Sequence, residues 1–190
     1  MKGKNLFVAG FVALCFLFAF VGQAAAQSSG KALPPLKASA LAPVADGIVG
    51  TGEYSWHGTL KDMKLYLSFS ADNSTLHVAL EAPTAGWVSV GLGSLKMSGS
   101  FIVLAYVDKG AATVSEHTGI AFSRHKENKT KALLTSTALE ANGATVLEYS
   151  LPAATWASLP SLKLLVAYGR PDNFTSKHVK YEVGEVAFAK

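Results

Sequence analysis

Short runs rich in β-branched and aromatic residues recur about every ten residues from position 46 onward, and this recurrence constrains the fold most strongly. Glycine, asparagine, aspartate or proline separates the runs, as is typical of turns between strands. A single helical turn is predicted over 152–159, where proline is found early and again directly afterwards. Because a domain of many short strands must bury one face of each, the pattern indicates an all-β sandwich or barrel. The ten predicted strands are 54–59, 64–70, 75–81, 86–91, 100–108, 112–117, 133–139, 144–150, 162–169 and 179–187.

One of these strands is apolar along its whole length. Residues 101–107 read Phe-Ile-Val-Leu-Ala-Tyr-Val, and successive side chains of a strand point to opposite faces of the sheet. Both faces of this strand must therefore be covered. In a two-layer sandwich the opposing sheet covers one face, so the other requires an additional chain segment or an apolar ligand.

The N-terminus has the features of an export signal. Two lysines precede an apolar run over 6–21, and three alanines at 24–26 provide the small residues that a signal peptidase cleaves. The run is shorter than the about 20 residues that span a bilayer, so we predict a cleaved signal peptide over 1–26 and a secreted or periplasmic protein. Residues 27–45 contain three prolines and no period, which predicts a flexible leader before a domain over 46–190.

Composition excludes several classes of function. The single cysteine, Cys15, lies in the predicted signal, so the mature chain is expected to have no disulfide, no covalently attached haem and no thiolate ligand. The formal net charge is +4 at pH 7, and the basic residues form no stripe that would indicate nucleic-acid binding. The carboxylates are scattered and no serine has a nucleophile-elbow context, so no catalytic residue is predicted and the protein is not expected to be an enzyme.

Four groups of residues, taken in order, resemble the DOMON domain family. The resemblance extends over nearly the whole chain that follows the predicted leader, and it implies an immunoglobulin-like antiparallel β-sandwich that binds either a b-type haem or sugars. The groups are Asp46-Gly47-Ile48 with Gly52-Glu53-Tyr54, Gly86-Trp87-Val88-Ser89-Val90-Gly91, Met97-Ser98-Gly99-Ser100, and Phe174-Thr175-Ser176-Lys177-His178.

The resemblance also implies a pair of iron ligands. Haem-binding members use a methionine before the long apolar strand and a histidine near the C-terminus, and these positions match Met97 and His178. Lys177 is an alternative to His178, because some relatives of this fold use methionine and lysine. A Met/His pair gives a closed, six-coordinate iron with a raised reduction potential, which transfers single electrons and leaves no open position for a substrate.

A pocket for noncovalent haem b needs apolar walls and a cation for the propionates. Trp87, Phe101, Tyr168 and Phe174 are predicted to line it, which would also cover the second apolar face of residues 101–107. Arg170 is the predicted propionate partner, with Lys180 as a substitute. Because the chain contains no second cofactor domain, electrons would be exchanged with a separate redox protein or a membrane oxidoreductase.

The residues themselves leave other interpretations open. Methionine usually fills irregular gaps in a core, which is the alternative for Met97, whereas Met63 lies between two charged residues and is expected at the surface. His178 would be a solvent-facing strand residue on spacing alone. The other histidines are expected at the surface, and two of them lie too far apart in the chain to predict a metal site. These four are His57, His77, His117 and His125, of which the last two form the distant pair.

A different class of function uses the same sandwich. A carbohydrate-binding module without haem would stack sugar rings on exposed aromatic side chains. The candidates are Trp56, Trp87 and Trp156.

Overall fold

The computed structural model describes residues 31–189, and the predicted signal peptide lies outside them. In this part of the chain there are twelve strands and one short helix. The strands are β1 (Lys31–Leu36), β2 (Trp56–Leu60), β3 (Met63–Phe69), β4 (Thr75–Ala82), β5 (Val88–Leu92), β6 (Phe101–Asp108), β7 (Ala111–Ala121), β8 (Arg124–Glu127), β9 (Thr135–Ala141), β10 (Ala144–Pro152), β11 (Ser161–Tyr168) and β12 (Lys180–Phe188), and α1 is Ala154–Ala157.

The strands form two sheets that pack face to face. A seven-stranded sheet has the order β1-β12-β11-β5-β6-β7-β8, and a five-stranded sheet has the order β2-β3-β4-β10-β9. All pairings are antiparallel except that between β1 and β12. This confirms the predicted immunoglobulin-like β-sandwich; each of the ten predicted strands is present within a few residues, and α1 occupies the predicted helical turn.

The N-terminal strand corrects the prediction of a flexible leader over 27–45. Residues 31–36 pair in parallel with β12 at the edge of the larger sheet, and Leu36 is buried. The indole Nε1 of Trp56 donates a hydrogen bond to the Pro34 carbonyl at 2.8 Å. Prolines are tolerated here because an edge strand has one side that needs no backbone donor. Local composition indicated a linker, but an available sheet edge makes this segment part of the fold.

The interior between the sheets is formed by aliphatic side chains from both. Alternate residues of β6, Val103, Ala105 and Val107, belong to this interior core. Turn chemistry supports the registers: the β9–β10 hairpin places Asn142 and Gly143 at positive φ of 53° and 76°, as the predicted Asn-Gly turn requires.

The segment that begins with Asp46 is tied to the five-stranded sheet through a buried carboxylate. Glu148 on β10 accepts hydrogen bonds from the Gly47 amide at 2.7 Å, the Asp46 amide at 3.2 Å and the Tyr54 hydroxyl at 2.8 Å. Burial raises the pKa of Glu148, and the three donors oppose that rise only in part. The first group of residues in the family resemblance is therefore explained by chain anchoring.

Candidate functional site

A second apolar cluster lies on the outer face of the seven-stranded sheet. Trp87, Ile102, Leu104 and Ala167 are buried there, and three partly buried side chains pack against them: Met97, Tyr106 and Phe174. We call these seven residues the outer cluster. Ile102, Leu104 and Tyr106 of β6 belong to it, so both faces of the strand over residues 101–107 are covered, as its sequence predicts.

Met97 is held at this cluster by a tightly bonded loop between β5 and β6. The Met97 carbonyl accepts from the Ser100 amide at 3.1 Å, and the Gly99 amide donates to the Gly119 carbonyl at 2.9 Å. A Cβ at Gly119 of β7 would lie 1.7 Å from the Met97 carbonyl oxygen and 3.2 Å from Met97 Cγ. The loop therefore rests directly on β7 because position 119 has no side chain. These backbone contacts fix where the half-buried Met97 side chain starts.

The segment 170–178, between β11 and β12, covers the outer cluster. The indole Nε1 of Trp87 donates to Ser176 Oγ at 2.7 Å, and the Phe174 ring lies 4.9 Å from Tyr106 and 5.9 Å from His117, centroid to centroid. Asn173 Oδ1 accepts from the Thr175 and Ser176 amides, which forms a compact turn. This segment supplies the extra chain element that the doubly apolar strand requires.

Two glycines allow the covering segment to approach the sheet. A Cβ at Gly86 would lie 2.1 Å from the Arg170 carbonyl oxygen, and a Cβ at Gly169 would lie 2.1 Å from Trp87 Nε1. The Thr84 hydroxyl donates to the Gly169 carbonyl at 2.8 Å across the same contact. The Gly-Trp pair that contributes to the family resemblance therefore fixes where the covering segment begins.

His178 lies at the other end of the covering segment. Its half-buried ring packs 4.8 Å from the ring of Tyr181, and the next residue is fixed by a backbone hydrogen bond from Val179 to Tyr168 at 2.8 Å. Burial, helped by the positive charge of Lys177, lowers the pKa of His178 below its ordinary value. The imidazole is therefore neutral near pH 7, as a metal ligand must be.

Met97 and His178 are not brought together in the described chain. Met97 rests on β7 and His178 precedes β12, and three strands, β11, β5 and β6, lie between β7 and β12. Four strand spacings correspond to about 19 Å between the backbones. Phe174, which precedes His178 in the chain, packs on the outer cluster with Met97, whereas His178 does not belong to that cluster.

The other predicted pocket residues divide into three groups. Trp87 and Phe174 join Met97 in the outer cluster. Phe101 and Tyr168 instead pack in the interior core, because they occupy the inward-facing positions of β6 and β11. Arg170 is exposed and lines a cleft of about 430 Å³ at one end of the sandwich, which Tyr168 also borders. Lys180 forms an ion pair with Asp62 at 2.5 Å.

Two expectations for side chains outside the pocket are wrong. Met63 was expected at the surface but is fully buried, because it is the first residue of β3 and points between the sheets. His117 was expected at the surface but is only 8% exposed, and His125 packs against it across the β7–β8 hairpin. Separation in the chain suggested that these histidines are distant, whereas antiparallel pairing brings them together.

The tryptophans proposed for sugar stacking offer no exposed platform. Trp56 and Trp87 are 5% and 6% exposed, and the half-buried Trp156 packs on Phe101 with ring centroids 6.3 Å apart. Stacking on a sugar requires a free ring face. The tryptophans on which the carbohydrate-binding alternative depends are therefore packing residues.

Comparison with known proteins agrees with this architecture. The DOMON domain model matches residues 59–158. The chain belongs to the DOMON domain family. Two solved structures share the fold: the cytochrome b domain of pyranose dehydrogenase from Coprinopsis cinerea, with a TM-score of 0.55 at 14% identity, and the cytochrome domain of Myriococcum thermophilum cellobiose dehydrogenase, with 0.52 at 12%. Each match covers 70% of this chain and 81% of the other, and no curated protein matches.

The match to the DOMON model includes the Met97 loop and β6, but it ends before the covering segment. The assignment of iron ligands on that segment therefore depends only on the order of the four groups of residues that resemble the family. Among residues 31–189, no cluster of three or more His, Cys, Asp or Glu side chains is placed to hold a metal ion. The same part of the chain contains no helix of the length and apolarity needed to cross a bilayer.

Proposed function

We propose that this DOMON domain binds a b-type haem noncovalently at the outer cluster and carries single electrons. The observation that supports this most directly is an apolar sheet face, covered by a single segment, with a thioether held at its edge. The two structures that share the fold are named as cytochrome domains of sugar dehydrogenases. When bound, a Met/His-ligated haem supplies a one-electron couple with a raised potential.

The residues present fit such a group in their chemistry. Haem has large apolar faces, and the outer cluster offers aromatic and aliphatic surface that would otherwise need covering. Met97 supplies a soft sulfur and His178 a neutral imidazole, which are the two proposed axial ligands. Trp87 and Phe174 would contact the porphyrin, and exposed Arg170 remains the candidate for a propionate.

Because the two donors are separated in the described chain, haem binding requires the segment 170–178 to move. Phe174 must leave Tyr106, and His178 must swing toward Met97. The segment is suited to this motion, because its contacts are a few side-chain interactions and not a strand ladder. Lys177, one residue earlier, is the alternative ligand.

The proposed cellular setting follows from the electron-carrier role. The domain would be secreted or periplasmic, and it would exchange electrons with a separate redox protein or a membrane oxidoreductase. No catalytic residue is proposed, since the closed iron would have no position for a substrate.

A conservative variant series tests the ligands. After reconstitution with haem, the wild type should show a Soret band and the sharp α and β bands of low-spin iron. Met97→Leu removes only the sulfur and should convert the spectrum to high spin or lower the potential. Met63→Leu is the matched control, because this buried methionine is in the interior core.

A second set of variants distinguishes the two candidate iron ligands near the C-terminus. His178→Gln should release haem more readily than wild type, whereas Lys177→Ala and the exposed His57→Gln should bind it normally. If Lys177→Ala loses the low-spin bands and His178→Gln keeps them, the ligand assignment moves to lysine. If the wild type binds no haem at all, the electron-carrier proposal is wrong.

A further inference from the structure

Two histidines outside the proposed haem ligands meet on the outer face of the larger sheet. His117 of β7 and His125 of β8 have their Nδ1 atoms 2.9 Å apart, with the rings edge to face at 4.7 Å between centroids. His125 lies opposite Gly119 in the hairpin register. The hairpin therefore presents two imidazole nitrogens to each other at its surface.

Each imidazole also has a polar group near its other nitrogen. His117 Nε2 lies 3.0 Å from Ser115 Oγ, a hydroxyl that can accept or donate, and the backbone of Phe174 is near enough to His125 to oppose the lowering of its pKa by burial. Since Nδ1 of His125 faces His117, Nε2 is the nitrogen left for that backbone group. In the metal-free pair only one ring can hold its proton at Nε2, because the Nδ1–Nδ1 contact needs a proton on the Nδ1 of the other ring. Outer-shell groups at Nε2 are how proteins orient the histidine ligands of metals.

We propose that His117 and His125 form a two-imidazole site for a divalent transition metal, with Cu²⁺ as the preferred ion. Two nitrogens 2.9 Å apart subtend an angle of about 90° at an ion that lies about 2.0–2.1 Å from each. This is the cis angle of tetragonal Cu²⁺, whereas tetrahedral Zn²⁺ would require the nitrogens to separate further. Water would occupy the remaining positions.

Binding of the ion needs no added acid or base, because the number of protons on the two imidazoles does not change. In the metal-free pair, the Nδ1 of one ring carries a proton and donates a hydrogen bond to the Nδ1 of the other ring. When the ion binds, the first ring changes tautomer and its proton moves to Nε2, where an acceptor is already placed. Each ring carries one proton before and after, so both stay neutral.

The site is open to an ion from solvent and is separate from the proposed haem donors. His125 is half-exposed at the edge of the sheet, which gives the ion a path of entry. Glu127 lies opposite His117 in the register, and Lys131 pairs with its carboxylate at 2.9 Å, so the two charges beside the site largely cancel. The pair needs neither Met97 nor His178, but Phe174 packs against His117, so the test uses the haem-free chain, in which the covering segment is in place.

The test is titration of the full, metal-stripped chain with Cu²⁺, followed by calorimetry and electron paramagnetic resonance. The wild type should bind a single high-affinity Cu²⁺ with a tetragonal spectrum and hyperfine coupling from two nitrogens. His117→Gln and His125→Gln should each weaken binding by about tenfold or more, and the double variant, which has lost both nitrogen donors, should bind more weakly than either single variant. Cu²⁺ should raise the Tm of the wild type and not that of the variants.

His77→Gln is the matched control, since this ring is half-buried and belongs to another part of the fold. It should bind Cu²⁺ as the wild type does. Circular dichroism without metal checks folding, and if His117→Gln is unfolded, the half-exposed His125→Gln carries the comparison. Wild-type affinity in His125→Gln, or equal loss in His77→Gln, would overturn the proposal, as would a resonance spectrum with no nitrogen coupling.

Discussion

At the scale of single residues, glycines decide which side chains can meet. Gly119 lets the Met97 loop rest on β7, and Gly86 and Gly169 let the covering segment start against Trp87. None of these positions requires an unusual backbone conformation, because no positive φ is recorded for them. Their role is close approach of two chain segments, and an added methyl group would have to displace backbone atoms.

Gly119→Ala is therefore expected to push the Met97 loop off β7. The new Cβ would overlap the Met97 carbonyl, so we expect a loss of about 1–3 kcal/mol in the free energy of unfolding, measured by urea denaturation. Gly50→Ala is the control, because its Cβ would meet only the movable carboxylate of Glu53, at 3.3 Å. Equal stability of the two variants would contradict the role given to Gly119.

At the scale of elements, two segments complete the sheets without being recognisable from their own composition. β1 closes the edge of the larger sheet beside β12, and the segment 170–178 covers its outer face. Both are rich in proline or polar residues, and each is held by an indole donor: Trp56 to Pro34, and Trp87 to Ser176. Such segments take their structure from the surface they cover.

Trp87→Phe should loosen the covering segment while keeping the aromatic packing. It removes the hydrogen bond to Ser176, and a typical bond of this kind contributes about 1 kcal/mol. Amide hydrogen exchange over residues 170–178 should become faster, with β10 as the internal reference. Trp56→Phe is the matched control, since it loses its bond to Pro34 and should affect β1 instead. Unchanged exchange in Trp87→Phe would show that the segment is held by other contacts.

Leu36→Ala tests whether β1 belongs to the domain. The Leu36 side chain is 1% exposed in the interior core, so its truncation should cost about 2–4 kcal/mol in the free energy of unfolding. Thermal denaturation with circular dichroism measures the change. Leu41→Ala, which truncates an exposed leucine just after β1, should have little effect. A neutral Leu36→Ala variant would support the flexible leader that composition indicates.

At the scale of the whole molecule, burial of histidines links stability to pH. Burial lowers the pKa of four imidazoles below their ordinary value of 6.5: His77, His117, His125 and His178. A lowered pKa means that the unfolded chain binds protons more readily than the folded one. The resulting stability is present above about pH 6.5 and is lost as pH falls toward the folded-state values.

His77 isolates this effect, because burial alone shifts its pKa. Relative to His77→Gln, the wild type should lose unfolding free energy as pH is lowered from about 7.5 to about 5. Urea denaturation at several pH values measures the difference, and taking that difference cancels the opposite contribution of Glu148, whose pKa is raised. If the unfolding free energy of the wild type instead rose relative to that of His77→Gln as pH falls, the direction of the pKa shift would be contradicted.

The sequence by itself determined the sandwich, because alternation, turn residues and the doubly apolar strand are local and depend on side-chain type. The family resemblance placed Met97, Trp87 and Phe174 at one predicted pocket, and these three side chains do pack in one apolar cluster. Only the tertiary structure decided that Phe101 and Tyr168 face inward, that β1 joins a sheet, and that His117 meets His125. These outcomes depend on strand register and on which edge or face is free, and both are set by pairings between residues far apart in the chain.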